Sequence, residues 1–205
     1  MERRTVRRYA GERFYRAVLP GLERDLPLVE IEAGLWIASD VELILGDVEL
    51  LSRSALLLSE KVKSFNPEVV LTAEAKSIAL AYELSRLLGH GRFVVARKTL
   101  KAYTGDHISQ EVKSITTRSE QRLLLTKEGM GRISGKRVCL LDDVVSTGAT
   151  FKALEAITKK AAGDVVCRAA IWKEGPWYDQ ENLVYLDLLP VFVSDANKLS
   201  KLIRG

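Results

Sequence analysis

Val138-Cys-Leu-Leu-Asp142-Asp143-Val-Val145, followed by Ser146-Thr147-Gly148-Ala149-Thr150, is the stretch on which the fold of this 205-residue chain turns. Its apolar run reads as a buried strand that delivers two carboxylates, Asp142 and Asp143, to its tip. A turn of small residues follows and opens a helix from about Ala149 to Ala162. Free backbone N–H groups and hydroxyls at a helix start form an anion cradle, and the helix dipole favours a phosphate there. The carboxylates cannot bind that phosphate themselves. They suit the neighbouring hydroxyls of a sugar, or a Mg²⁺ that bridges to the ligand. A phosphate site beside a diol site points to a ribose 5-phosphate.

Outward from this stretch, strands and helices alternate. Glu68–Thr72 reads as a buried strand, Lys76–Leu88 as a helix ended by Gly89, and Phe93–Arg97 as the next strand. Val165–Trp172 is another, and Leu183–Val193 holds one or two short ones. Upstream, Leu28–Glu32 and Leu35–Ala38 alternate apolar and polar residues around Gly34, which predicts a hairpin. Asp47 caps a helix running to about Ser64. The first residues, to about Val18, read as a helix. The pattern predicts an α/β domain with a doubly wound, mainly parallel sheet, in which ligands bind at the carboxyl ends of strands.

Two further strand ends carry unusual residues. Thr72-Ala-Glu74-Ala75-Lys76-Ser77 is a turn opening a helix. Arg97-Lys98-Thr-Leu-Lys101-Ala-Tyr103 sets three cations within five residues, which repel one another unless solvated or facing an anion. Residues 99 to 136 are otherwise polar and glycine-containing, with extended pieces expected near 111–116 and 121–126. Gly129–Lys136 resembles a P-loop only faintly: its spacing is wrong, Arg137 stands where Ser or Thr is required, and a strand follows. It reads as a turn. His107 has no fixed partner and is rejected as a general base.

Together these motifs resemble the type I phosphoribosyltransferase family. Residues 138–150 are similar to its signature for phosphoribosyl pyrophosphate (PRPP), and Glu74–Ser77 to the pyrophosphate loop of its adenine-specific branch, with Lys76 in place of arginine and Ser77 in place of glycine. The resemblance implies that Val145, Ser146, Thr147, Gly148, Ala149 and Thr150 hold the 5-phosphate. It assigns the pyrophosphate to Glu74, Ala75, Lys76, Ser77, Arg97, Lys98, Lys101 and Tyr103. Asp142, Asp143, Lys101 and Glu111 are its catalytic candidates, with Mg²⁺ met by Asp142 and Asp143 indirectly, through PRPP. It also implies a flexible catalytic loop over about 101–121 and a small base-reading hood built from about 28–45 and 173–205. Serine at 146, where the hypoxanthine-guanine enzymes carry an acid, favours adenine as the acceptor, in an archaeal-type branch, giving AMP and pyrophosphate. Lys173 keeps a 6-oxopurine such as hypoxanthine or guanine open as acceptor, and xanthine and orotate stay open beside it. Outside catalysis, the same signature fits a PRPP-binding transcriptional regulator.

Composition bounds the rest. The chain is 47% hydrophobic and 28% charged, as in a globular protein, and no apolar run is long enough to span a membrane. The N-terminus lacks the apolar core of a signal peptide, so a cytoplasmic setting is expected. Residues 1–27 form a basic arm: six arginines up to Arg16 outweigh two glutamates, which already accounts for the net +4 of the whole chain. Nothing resembles a nucleic-acid-binding motif, and nucleic acid is not an expected partner. Cys139 and Cys167 read as core residues. A single domain over 1–205, associating as a homodimer, is expected.

Overall fold

The computed structural model describes residues 5–99, 105–112 and 121–195. Five strands, β5 (Val69–Ala73), β6 (Val94–Ala96), β9 (Arg137–Val145), β10 (Asp164–Glu174) and β11 (Leu183–Leu189), form the main sheet. Their order is β11-β10-β9-β5-β6, and every pairing is parallel. Helices cover both faces: α2 (Val48–Val62) and α3 (Ile78–Leu87) on one, α5 (Ala149–Lys160) on the other. Burial on both faces explains the continuous apolar runs: all of β5 is buried, and Val138–Leu141 are fully so. The doubly wound parallel sheet expected from the sequence is therefore present. Counted along the chain, the sheet order is 2-1-3-4-5, so it reverses between β5 and β9. The crevice at their carboxyl ends is the place where such sheets bind ligands.

A second five-stranded sheet has the order β1-β12-β4-β3-β2. Its members are β1 (Val6–Arg8), β2 (Phe14–Leu19), β3 (Leu22–Glu32), β4 (Leu35–Ala38) and β12 (Val191–Val193). The hairpin around Gly34 is as expected, and β12 brings the C-terminal stretch alongside it. The N-terminal helix is not. Val6–Arg8 and Phe14–Leu19 are strands instead, and β2 turns through Pro20-Gly21 into β3. Cross-strand partners decide this: Arg16 opposes Asp25 in register and bonds it at 2.8 and 3.0 Å. Arg24 reaches across to Asp47 and Glu49 at the start of α2, at 2.6 and 2.7 Å. Within the expected basic arm, Arg16 thus ties β2 to β3, and Arg24 holds the small sheet to α2.

Three smaller expectations also change. A short helix α1 (Val41–Gly46), capped by Asp40, precedes the Asp47-capped α2. Within Gly129–Lys136, expected as a turn, lies the end of helix α4 (Lys127–Ile133), capped by Thr126. Its two glycines weaken the helical signal, but Ile133 is fully buried and packing overrides propensity. Finally, of the two extended pieces expected near 111–116 and 121–126, the first lies a few residues earlier, as β7 (His107–Val112), and pairs antiparallel with the second, β8 (Gln121–Thr126). Lys101, Tyr103, Lys113 and Arg118 lie outside the described residues. No helix among the described residues is long and apolar enough to cross a membrane.

Candidate functional site

Strand ends of the main sheet and the small sheet converge on one cavity of about 190 Å³. The main sheet contributes Lys76 after β5, Asp143 and Ser146 from β9 and its turn, and Trp172 and Glu174 at the end of β10. Ile37–Val41 close the opposite wall.

The acids at the end of β9 are tied to the turn after β5. Lys76 Nζ donates to Asp143 Oδ2 at 2.8 Å. The Ser77 hydroxyl donates to Asp142 Oδ1 at 3.1 Å and to Asp143 Oδ1 at 3.3 Å. The Ser77 side chain therefore links the two motifs. The Glu74–Ala75 peptide is cis. The Glu74 carboxylate accepts from Arg97 Nε at 3.1 Å and from the Lys98 backbone N–H at 2.8 Å. Through these bonds the Glu74 side chain aims Arg97 and fixes the end of β6.

The turn after β9 leads into α5 through Gly148, whose φ of +74° only glycine adopts freely. No side chain caps this helix, so the first N–H groups of α5 are left for another acceptor. Ser146, Thr147, Ala149 and Thr150 are half-buried around it. The Val145 side chain is buried in the core, which leaves its backbone for the turn. Glu111 lies exposed on β7, 3.5 Å from Arg122.

Electrostatics single out three groups. Desolvation, then the adjacent Asp143 charge, pushes the Asp142 carboxyl well above the usual carboxylate range. Burial opposes the Lys76 ammonium, but Asp143, with Asp142 and Glu174 behind it, outweighs that and raises its pKa. Glu174 is a site residue that the sequence motifs miss, although it ends a strand of the main sheet. Burial pushes its carboxyl up to about 7, with the Ser146 hydroxyl and Lys76 pulling down and Asp143 pushing up.

The Glu174 shift has a consequence for stability. Between pH 4.5 and about 7 the folded chain keeps a proton that the unfolded chain has lost, so stability falls as pH rises through that window. Glu174→Gln removes the effect. Urea unfolding should show the variant gaining on the parent from pH 5 to pH 8, by up to about 3 kcal/mol. An equal difference at both pH values would refute the raised pKa.

Lys173, the residue that kept a 6-oxopurine acceptor open, is turned away from the cavity. Its Nζ lies 3.2 Å from Asp179 Oδ1 and 5.9 Å from the centre of the Tyr185 ring. Successive side chains of a strand point to opposite faces, so Trp172 and Glu174 line the cavity while Lys173 between them does not.

A family model described as the phosphoribosyl transferase domain matches residues 48–186. The adenine phosphoribosyltransferase of Thermosipho africanus is 31% identical over 143 residues, covering 70% of this chain and 79% of that protein. That of Petrotoga mobilis is 28% identical over 169 residues, covering 80% and 91%. Among solved structures, adenine phosphoribosyltransferase from Thermoanaerobacter pseudethanolicus superposes with a TM-score of 0.66 at 20% identity, covering 80% of this chain and 95% of that one.

Proposed function

The chain belongs to the phosphoribosyl transferase domain family, and from that premise we propose that it transfers the phosphoribosyl group of PRPP to adenine, giving AMP and pyrophosphate. The observation that carries the reading is the convergence of Lys76, from the end of β5, with Asp143 and Ser146, from the end of β9, on a cavity walled by the small sheet. In this reading the small sheet is the hood.

The 5-phosphate of PRPP lies on the uncapped start of α5, held by backbone N–H groups from Ser146 to Thr150 and by the Ser146, Thr147 and Thr150 hydroxyls. The ribose diol faces Asp142 and Asp143. Pyrophosphate meets Lys76, Arg97 and backbone N–H groups near Ala75 and Lys98. The purine occupies the cavity and attacks the anomeric carbon from the face opposite the leaving group. Positive charge grows on the ribose as pyrophosphate departs, and the Asp143 carboxylate stabilises it from a preorganised, largely desolvated position. Two carboxylates offer too few oxygens to hold Mg²⁺ alone, so the ion fits this site as one carried mainly by the oxygens of PRPP. When bound it neutralises charge on pyrophosphate.

A homodimer is part of the same proposal. Val41, Leu45 and Val48, exposed around the start of α2, supply apolar surface for a second copy. So is a cytoplasmic setting, in keeping with two buried, unpaired cysteines, Cys139 and Cys167.

The test is pyrophosphate release from Mg-PRPP with adenine, hypoxanthine, guanine, xanthine or orotate supplied separately. Release with adenine alone is expected. Release only with a 6-oxopurine would overturn the choice of base, and silence with PRPP still bound would favour a regulator. Because Lys173 faces Asp179, Lys173→Met should leave kcat/KM for adenine within about threefold of the parent, less than the loss of any group that contacts the reacting atoms.

A further inference from the structure

Three carboxylates line the cavity, and two of them are already engaged. Asp40 caps α1, accepting from the Leu43 N–H at 3.1 Å. Asp143 is ion-paired with Lys76 at 2.8 Å. Glu174, the third, is only 7% exposed and has no cation within ion-pair distance among the described residues. It is firmly placed: Glu174 pairs with Leu189 across β10 and β11, and the next N–H, of Gly175, donates to Leu189 O at 3.0 Å. Its carboxyl neighbours the Ser146 hydroxyl, in the turn that opens α5. A buried acid without a cation is costly, and here it sits where the reacting edge of a bound purine would lie.

The chemistry leaves one task unassigned. A neutral purine carries a proton on its five-membered ring. When N9 bonds to the anomeric carbon, that proton must leave from N9 or, in the other tautomer, from N7. Resting on the phosphoribosyl-transfer reading above, we propose that Glu174 is the base that accepts this proton. In the balanced step the N9–C1′ bond forms and the C1′–O bond to pyrophosphate breaks, its electron pair leaving on pyrophosphate. The ring N–H proton passes to the Glu174 carboxylate, and its electron pair stays in the purine. In the reverse direction protonated Glu174 returns it.

The groups that face Glu174 set its working range. Burial and Asp143 favour the protonated form, while Lys76 and the Ser146 hydroxyl favour the carboxylate, and the balance falls at about 7. Asp40 on the opposite wall and the charges of bound PRPP act in the same direction as Asp143. A base poised near the working pH is the efficient one. Turnover should therefore rise with pH through a limb at or slightly above 7.

Glu174→Gln keeps the size of the side chain and removes the proton acceptor. Its kcat/KM for adenine should fall by about 10²-fold or more, with the limb near neutrality abolished and PRPP affinity, measured by calorimetry, unchanged. 8-Azaadenine, whose ring N–H is more acidic, should recover most of the loss because it needs less help to ionise. Glu174→Asp, a carboxylate one methylene shorter, should retain the limb at reduced rate and serves if the glutamine variant does not fold. Turnover of Glu174→Gln within a few-fold of the parent would overturn the proposal. So would a slow variant that keeps the limb and gains nothing from 8-azaadenine, since Glu174 would then only shape the cavity. A parent protein that binds PRPP but releases pyrophosphate with no base would instead sink the transferase reading itself.

Discussion

Asp143→Asn is expected to lower kcat at least ~10²-fold with a far smaller change in the affinity for PRPP. The Asp143 side chain is 4% exposed, so its charge acts through little water and is worth more than a surface carboxylate. Two positive partners depend on it: the Lys76 ammonium at 2.8 Å in the resting protein and, in the proposed reaction, the ribose as its bond to pyrophosphate breaks. Asparagine keeps the shape and still accepts from the Ser77 hydroxyl, so the turn after β5 should stay in place. Lys76 is 46% exposed and can take up water when its partner is lost, which limits the cost in stability. The loss should therefore appear in turnover, the signature of an interaction made mainly in the transition state. Steady-state kinetics with adenine and calorimetric binding of PRPP separate the two. Unchanged turnover would remove the diol assignment and leave the acid pair as a purely structural tie between β5 and β9.

The parts of this site that could be read from sequence are those built from contiguous residues. An apolar run, two acids, a small-residue turn and a helix carry their own geometry, and residues 138–150 fold as that pattern predicts. What could not be read depends on partners distant in the chain. The N-terminal arginines look like a solvated helix until Asp25, Asp47 and Glu49 are placed opposite them. That the Glu74 carboxylate accepts from Arg97 and the Lys98 N–H depends on β6, more than twenty residues on. Lys173 and Glu174 are adjacent, and only the pleat of β10 shows which of them faces the cavity. Burial decides the chemistry of Glu174, because an exposed glutamate at a strand end would be an ordinary ionised acid.

Gly148→Ala should cost about 3 kcal/mol of stability and also weaken the hold on PRPP, because one atom is asked to fit where two constraints exclude it. The φ of +74° puts any Cβ in the left-handed region, a strain of about 1–2 kcal/mol. The same Cβ would stand 2.0 Å from Tyr178 Cδ2 and 2.1 Å from Cε2. Tyr178 cannot swing aside freely: it is 3% exposed and packs against Phe151, with ring centres 5.9 Å apart. The turn must therefore move, and with it the N–H groups that would hold the 5-phosphate. Displacement of about 1 Å is enough to cost ~10²-fold in kcat/KM. For a domain of this size the stability loss corresponds to a fall in Tm of about 10 °C. Gly131→Ala is the control, since its added Cβ meets nothing within 4 Å in α4; a helix-interior alanine there should be neutral or stabilising by about 0.5–1 kcal/mol. Combining Gly148→Ala with Tyr178→Ala should give less than the sum of the two losses, because truncating the ring removes the clash while leaving the backbone strain. Strict additivity, or an unchanged Tm in Gly148→Ala alone, would mean that the turn accommodates a side chain, and the cradle at the start of α5 would then owe its shape to the bound phosphate instead of to the packing of Tyr178.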